Sequence, residues 1–371
     1  MAGGQAGRMT RRLCSLPRQP APAFAPGLTA ERQDALLAGR RMWVDGTVLH
    51  YCFLDARSDA SVVPVPGTGE PRRVPWAGGE EQRDVVRGCF GEWQDLGIGV
   101  TFAETGDRHE AELRIGFQAG AGSWSAIGRD ALSAGRGERT MNLGWDVTGP
   151  GERGVVLHQI GHALGMVHEH QSPFAGLHWD DEAVYAELAG PPNFWSRETT
   201  YTNVLRRLDA GEAGGPVWDP QSVMTLPFGP GLVLEPERYR GGLRPPGALS
   251  PADKEFALRW YPPMGPSGPA ALLLPFRSAP LGLGAGGQAD FAVEPPETRA
   301  YTVGTFGDAD SVLVVFEERD GEPRFLAGHD DGGGTPDNAA VRVRLVRGRR
   351  YAVRVRLYST WGSGETAVMC W

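Results

Sequence analysis

The chain has no run of apolar residues approaching the roughly 18 that a transmembrane helix requires, so no membrane span is predicted. Basic surplus is lacking as well. The 37 Lys and Arg residues stand against 45 Asp and Glu, a formal charge of −8, which argues against nucleic acid or an anionic membrane as partner. Cysteine is scarce: Cys14, Cys52, Cys89 and Cys370 are widely separated and form no CxxC pair, suggesting neither a zinc knuckle nor a dense disulfide framework. A reducing compartment is compatible with that count, and there is room for one disulfide. Arg11 and Arg12 are paired near the start, but no apolar stretch follows them, so no signal peptide is recognisable. By sequence alone the expected compartment is the cytoplasm. No internal repeat is found.

What is present is ordinary globular material, 371 residues with 41% apolar content, long enough for two or three domains. Residues 1–40 form a Pro/Ala-rich lead expected to be disordered. "RMWVDGTVLHYCFLD" (41–55) alternates apolar and polar residues around a DG turn signal, as a first strand or hairpin would. In "GEEQRDVVRGCFGEWQDLG" (79–97), Val85, Val86, Cys89, Phe90 and Trp93 recur at helical spacing, and "VTFAET" and "AELRIGFQ" then read as strands. "GSWSAIGRD" is loop-like, and "ERTMNLGWDV" (138–147) reads as another short strand. The Pro/Gly run "YPPMGPSGPA" (261–270) marks the clearest boundary, with a linker at 264–270. Beyond it, "YTVGTF", "SVLVVFEE", "AAVRVRLV" and "RYAVRVRLY" alternate strictly, without helical period, predicting an antiparallel β-sandwich over 271–371.

The chemistry concentrates at "HQIGHALGMVHEH" (158–170). His158 and His162 lie four apart, so on a helix they share one face. Gly165 stands where a helix needs a left-handed residue to stop, after which the chain can double back and present His168. Three neutral imidazoles with an open fourth position describe a catalytic-type zinc site. With 8 histidines in the chain, the chance occurrence of HxxxHxxGxxH is on the order of one in a thousand or less. His170 and His178 read as supporting or surface residues, and Glu169 equally as an anchor or a solvated carboxylate. Met224 follows a turn-prone Asp219-Pro220 pair in "WDPQSVMTLPFG" and reads as a methionine turn beneath the metal. In "HDDGGGTPDN", Asp330, Asp331 and Asp337 offer carboxylates for calcium, although a solvated hairpin turn accounts for them as well.

"HQIGHALGMVHEHQSP" and "DPQSVMTLPF" resemble the metzincin zinc-peptidase signature, and "GSWSAIGRD", "TMNLGWD", "GPPNFWSRETTYTN" and "GALSPADKEFALRWYPP" extend the likeness to the bacterial astacin-like branch over 41–263. The resemblance implies an α/β (α+β) zinc endopeptidase domain with a cleft between two lobes, and one zinc ion held by His158, His162 and His168. It implies Met224 as the Met-turn, and an extended peptide or protein substrate adding along the strand "TMNLGWD" as cleft edge. It associates the chain with secretion. The segment after the linker resembles sandwich domains appended to bacterial secreted peptidases.

Two positions depart from that pattern. Gln159 stands where the family carries the general-base glutamate, and an amide accepts no proton from the attacking water, a loss typically worth about 10²–10⁴-fold. Leu226 stands where a tyrosine helps to stabilise the oxyanion, and Thr225 where a histidine is usual. Impaired hydrolysis is therefore expected, with a zinc-binding pseudopeptidase as the alternative. No acid motif of a pro-segment is found in the lead, and Cys14 as a thiol blocking the zinc is the less favoured idea.

Overall fold

The computed structural model describes residues 12–17, 41–43, 47–65, 67–208, 217–261, 263, 270–284, 287–329, 338–357 and 363–371. The candidate calcium ligands Asp330, Asp331 and Asp337 and nearly all of the expected linker lie outside these. The chain divides into two units. The first comprises residues up to Met42, His50–Leu96 and Ala103–Phe256, the second Trp43–Leu49, Gly97–Phe102 and Ala257–Trp371.

In chain order the elements ahead of the histidine segment are β1 (Val48–Phe53), β2 (Ala60–Pro64), β3 (Pro71–Pro75), α1 (Glu80–Gln94), β4 (Thr101–Glu104), β5 (Leu113–Gly116), β6 (Trp124–Ser125) and β7 (Met141–Asn142). The histidine helix is α2 (Arg153–Ala163). After it come β8 (His178–Trp179), α3 (Asp181–Ala189), α4 (Arg197–Thr200), β9 (Val233–Glu235) and α5 (Pro251–Trp260). Helix α1 forms as its spacing predicts, burying Val86, Cys89, Phe90 and Trp93 on one stripe, with Glu80 and Glu81 in the first turn where the helix dipole favours them. The Trp93 indole N–H donates to Leu157 O at 3.2 Å, which ties α1 to α2. Helix α2 is buried nearly all round, from Val156 to Ala163, and so belongs to the core rather than the surface.

The sheet has the order β4-β1-β5-β7-β6. β1 pairs with β5, and β5 with β7, in parallel; β6 runs antiparallel to β7. This corrects one expectation. The strand of "TMNLGWD" is flanked on both sides, and the edge is Trp124–Ser125, within the stretch read as loop. The reason is local: Asn142 accepts from Gln118 N at 3.0 Å and donates to Gly122 O at 2.6 Å, folding the intervening loop so that Trp124 and Ser125 return against β7. A two-residue strand carries no periodicity to read.

The second unit is a β-sandwich built from β10 (Ala271–Leu272), β11 (Ala279–Leu283), β12 (Gln288–Val293), β13 (Arg299–Gly307), β14 (Ser311–Arg319), β15 (Glu322–His329), β16 (Ala340–Leu345), β17 (Tyr351–Leu357) and β18 (Gly364–Cys370). One sheet has the order β10-β12-β17-β14-β15 and the other β11-β18-β13-β16. Phe291, Val315, Val353 and Val355 from the first meet Tyr301, Val303, Val343 and Val368 from the second in one core. Strand β14 is buried on both faces, because Val312, Val314 and Phe316 pack a smaller cluster with Phe325 on the other side.

Candidate metal centre

Helix α2 ends in a Schellman motif. Gly165, with φ +97°, donates to His162 O at 2.8 Å, and Met166 N reaches back to Gly161 O at 2.9 Å. Only glycine adopts that backbone readily, and a Cβ here would also meet the Met42 sulfur at 2.6 Å. The reversal carries His168 back toward the helix. Its ring centroid lies 5.3 Å from that of His158 and 4.9 Å from that of His162, while those two rings stand 4.5 Å apart and perpendicular. The three histidines singled out in the sequence are thus brought together, all of them buried.

Their hydrogen bonds set the tautomers. His158 Nδ1–H donates to Val223 O and His162 Nδ1–H to Met166 O, each at 2.8 Å. Both Nε2 lone pairs are left facing inward. His158 Nε2 and both ring nitrogens of His168 have no hydrogen-bond partner although they are buried. Burial pushes His158 down to about 4 and holds His162 and His168 well below the ordinary imidazole value, with neighbouring imidazoles adding to the effect on those two. Neutral rings, those of His158 and His162 anchored to the backbone through Nδ1–H, with nitrogen lone pairs free to face a common point are the donor set that a zinc ion requires.

A fourth side chain joins them. Of the lead, residues 12–17 are held against the site, so the expectation of disorder does not hold there. The Cys14 sulfur lies 3.5 Å from His162 Nε2 and 3.7 Å from Gln159 Oε1. The ligand atoms of Cys14, His158, His162 and His168 all fall within 4.8 Å of one another. For Zn–N of about 2.0–2.1 Å and Zn–S of about 2.3 Å, a tetrahedral edge from nitrogen to sulfur is about 3.6 Å, so the His162–Cys14 spacing fits a shared ion. Burial pushes the Cys14 thiol up to about 12; a coordinating cation reverses that, since metal-bound thiols are deprotonated.

Gln159 is wholly buried, its Oε1 facing Cys14 and its Nε2 without a partner. Among the described residues, no Asp or Glu belongs to the ligand group. Glu169 is directed elsewhere: its carboxylate accepts from Asp219 N at 3.3 Å, and its own N–H donates to Met224 O at 3.1 Å, bracing the methionine turn from one side. Burial raises its carboxyl to about 7. Met224 lies under the helix with its sulfur against Gly161, where a Cβ would collide with it. Asp253 braces the turn from the other side, accepting from Ser222 Oγ at 2.6 Å and from Val223 N and Ser250 N at 2.8 Å. His170, buried, accepts from Leu226 N at 3.4 Å through Nδ1 and donates to Asn203 O at 3.1 Å. His178 is exposed, 3.4 Å from Glu235. Neither enters the ligand group.

Beside His158 and Gln159 lies a half-open pocket, walled by Trp145, Val155, Thr225 and Leu226 and by Arg12 and Cys14 of the lead. The Thr225 hydroxyl is turned away to Asp219 O at 3.1 Å, and Leu226 is packed into apolar surroundings. The less favoured sequence reading of Cys14, a thiol facing the zinc site, matches the position of its sulfur beside His162; the Ser222–Asp253 brace carried no sign in the spacing, because that contact is tertiary.

A histidine helix closed by a glycine turn, a third histidine returning to it and a methionine turn beneath, all set on a mixed sheet, define the metzincin class of zinc peptidase folds. The family model of Astacin, a peptidase family, matches residues 77–174. Among solved structures, myroilysin is 30% identical, covering 60% of this chain and 96% of that chain with a TM-score of 0.50. High choriolytic enzyme 1, a hatching enzyme zinc-protease from the medaka Oryzias latipes, is 13% identical over 60% of this chain and 94% of that chain, at a TM-score of 0.38. The pre-peptidase C-terminal domain of a Bacillus anthracis collagenase is 13% identical over 29% of this chain and all of that domain, at a TM-score of 0.25. Comparison with curated protein sequences gives no match. The chain belongs to the astacin family of metallopeptidases, zinc-dependent hydrolases that act on peptide or protein substrates.

Proposed function

We propose that this chain is a zinc-holding member of the family in which His158, His162 and His168 are the metal ligands, Cys14 occupies the fourth position, and Gln159 stands in the place of the base. The cleft then binds extended peptide or protein chains and hydrolyses them poorly or not at all. The observation that carries the reading is the buried Gln159 amide, with its Oε1 turned to the Cys14 sulfur at 3.7 Å and, among the described residues, no carboxylate in the ligand group.

When bound, zinc polarises a peptide carbonyl and lowers the pKa of water toward neutrality. The backbone carbonyls of Val223 and Met166 hold the His158 and His162 rings with Nε2 inward, and Met224 supports the helix beneath them. Gln159 can orient a water by hydrogen bonding, but it takes no proton and passes none to a leaving amine. Leu226 and the inward-bonded Thr225 supply no donor for a developing oxyanion. A second reading, a latent endopeptidase released when Cys14 leaves, is favoured by the ligand geometry and opposed by Gln159.

Casein cleavage separates the two, using the full chain, Cys14→Ser, Gln159→Glu and the double variant, each with and without chelator. Chelator-sensitive cleavage is expected from the double variant only. Cleavage by Cys14→Ser at a comparable rate would show that another residue moves the proton and would favour the latent enzyme.

A further inference from the structure

The structure assigns to the cleft a ligand class that reaches beyond the metal site: extended peptides carrying a leucine one residue ahead of the position that faces the histidines. This rests on the cleft being the peptide-binding site proposed above. Residues 12–17 lie in it as a tethered example, and their contacts separate into two kinds.

The first kind is blind to sequence. Ser15 N donates to Ser123 O at 3.0 Å, beside edge strand β6, in a parallel bridge. Leu13 N and Leu16 N donate to Asn193 Oδ1 and Asn203 Oδ1 at 2.9 and 2.7 Å, and Asn203 Nδ2 returns a bond to Leu16 O at 3.3 Å. All four go to main-chain atoms of the segment, which any extended peptide presents.

The second kind reads a side chain. Leu13 is buried among Val184, Leu188, Val204, Phe228 and Leu232, and Leu226 lines the same socket together with Trp179, Pro227 and His170. No polar side-chain atom of the segment is needed there. Leu226, the residue standing in place of an oxyanion-stabilising tyrosine, also lines the pocket beside His158. The leucine that stands in place of that tyrosine therefore adds an apolar wall to a mostly apolar socket. Arg12 extends over the Trp145 ring at 5.9 Å, an outer contact.

A fully buried leucine side chain corresponds to about 10- to 100-fold in affinity, whereas a tether supplies its segment at about millimolar effective concentration. A competing peptide must overcome that. The test uses the full chain as Leu13→Asp/Cys14→Ser, which cannot fill its own socket, and two fluorescein-labelled peptides read by anisotropy. The peptides are Arg-Leu-Ala-Ser-Leu-Pro and Arg-Asp-Ala-Ser-Leu-Pro, neither carrying a thiol. The leucine peptide is expected to bind about 10- to 100-fold more tightly; equal affinities overturn the inference. The unmodified chain supplies a measurement free of mutation. Millimolar leucine peptide, trapping the displaced state, is expected to speed alkylation of the buried Cys14, read by mass spectrometry, and the aspartate peptide is not. Identical alkylation rates count against the proposal. Zinc content of the same samples keeps the two readings apart. A zinc-free chain that still prefers leucine sinks the metal reading and leaves this one standing; a zinc-loaded chain without preference overturns this one alone.

Discussion

At Gln159 one atom decides the chemistry. Replacing the amide nitrogen by oxygen gives the site a proton acceptor without changing side-chain volume, and general-base catalysis is typically worth about 10²–10⁴-fold. The gain is expected only once Cys14 has also been replaced, because the thiol faces the same carbonyl oxygen. Gly161 is the second telling residue. Alanine there drives its methyl group into the Met224 sulfur, and overpacking of this kind costs about 1–3 kcal/mol. Urea melts of Gly161→Ala are expected to show that loss; unchanged stability would mean that the methionine moves aside freely. The histidines, Gly165 and Met224 were legible because their relations are local, set by helical spacing and a turn. Cys14 was legible only as the less favoured reading of a zinc-blocking thiol, since 158 − 14 = 144 residues separate it from the first histidine and no periodicity spans that distance.

Among the elements, the methionine turn depends on the start of α5. Asp253 there accepts three hydrogen bonds from Ser222, Val223 and Ser250, and Val223 in turn fixes His158. Asp253→Ala strands those donors. Losing such an outer support typically lowers metal affinity by about 10–100-fold, which a zinc titration with a competing chelator reads directly; unaltered affinity would show the turn to be self-supporting. Near the foot of the β2–β3 hairpin, burial alone would raise the Asp59 carboxyl, but two 2.7 Å bonds from Arg108 and one from Ala56 N hold it below the ordinary carboxylate value. With the folded value depressed, the group stabilises the protein above about pH 4, where the unfolded carboxyl is ionised, and that contribution fades as pH falls through the folded value. Thermal melts of the unmodified chain and Asp59→Asn should therefore differ at neutral pH and converge as the pH falls through the depressed folded value. A constant difference would contradict the ion pair's role. Helix α1 and strands β5 and β17 were readable because each repeats its pattern long enough to register. The cleft edge was misread because β6 and β7 are two residues each and are ordered by the side chain of Asn142 rather than by any alternation.

For the molecule as a whole, the sequence separated a peptidase-like part from a sandwich because the hydrophobic period changes from mixed to strictly two after residue 270. It could not show that Trp43–Leu49 and Gly97–Phe102 group with the second unit, since that grouping lies in tertiary contacts. The candidate ligands all fall in the first unit. A ligand present at about 1,000 times its Kd stabilises by about 4 kcal/mol, about 10 °C in a unit of this size. Calorimetry with chelator is expected to lower the melting of the first unit by that order while the sandwich transition stays in place. Equal shifts in both, or in neither, would contradict a metal confined to the first unit.

The most direct test is X-ray absorption at the zinc edge of the purified full chain, together with its metal content. One zinc per chain with three nitrogen ligands and one sulfur ligand is the expected result, with the sulfur signal absent from Cys14→Ser. A chain that holds no zinc, or a zinc surrounded by nitrogen and oxygen alone, would contradict the account of a peptidase site closed by its own lead segment.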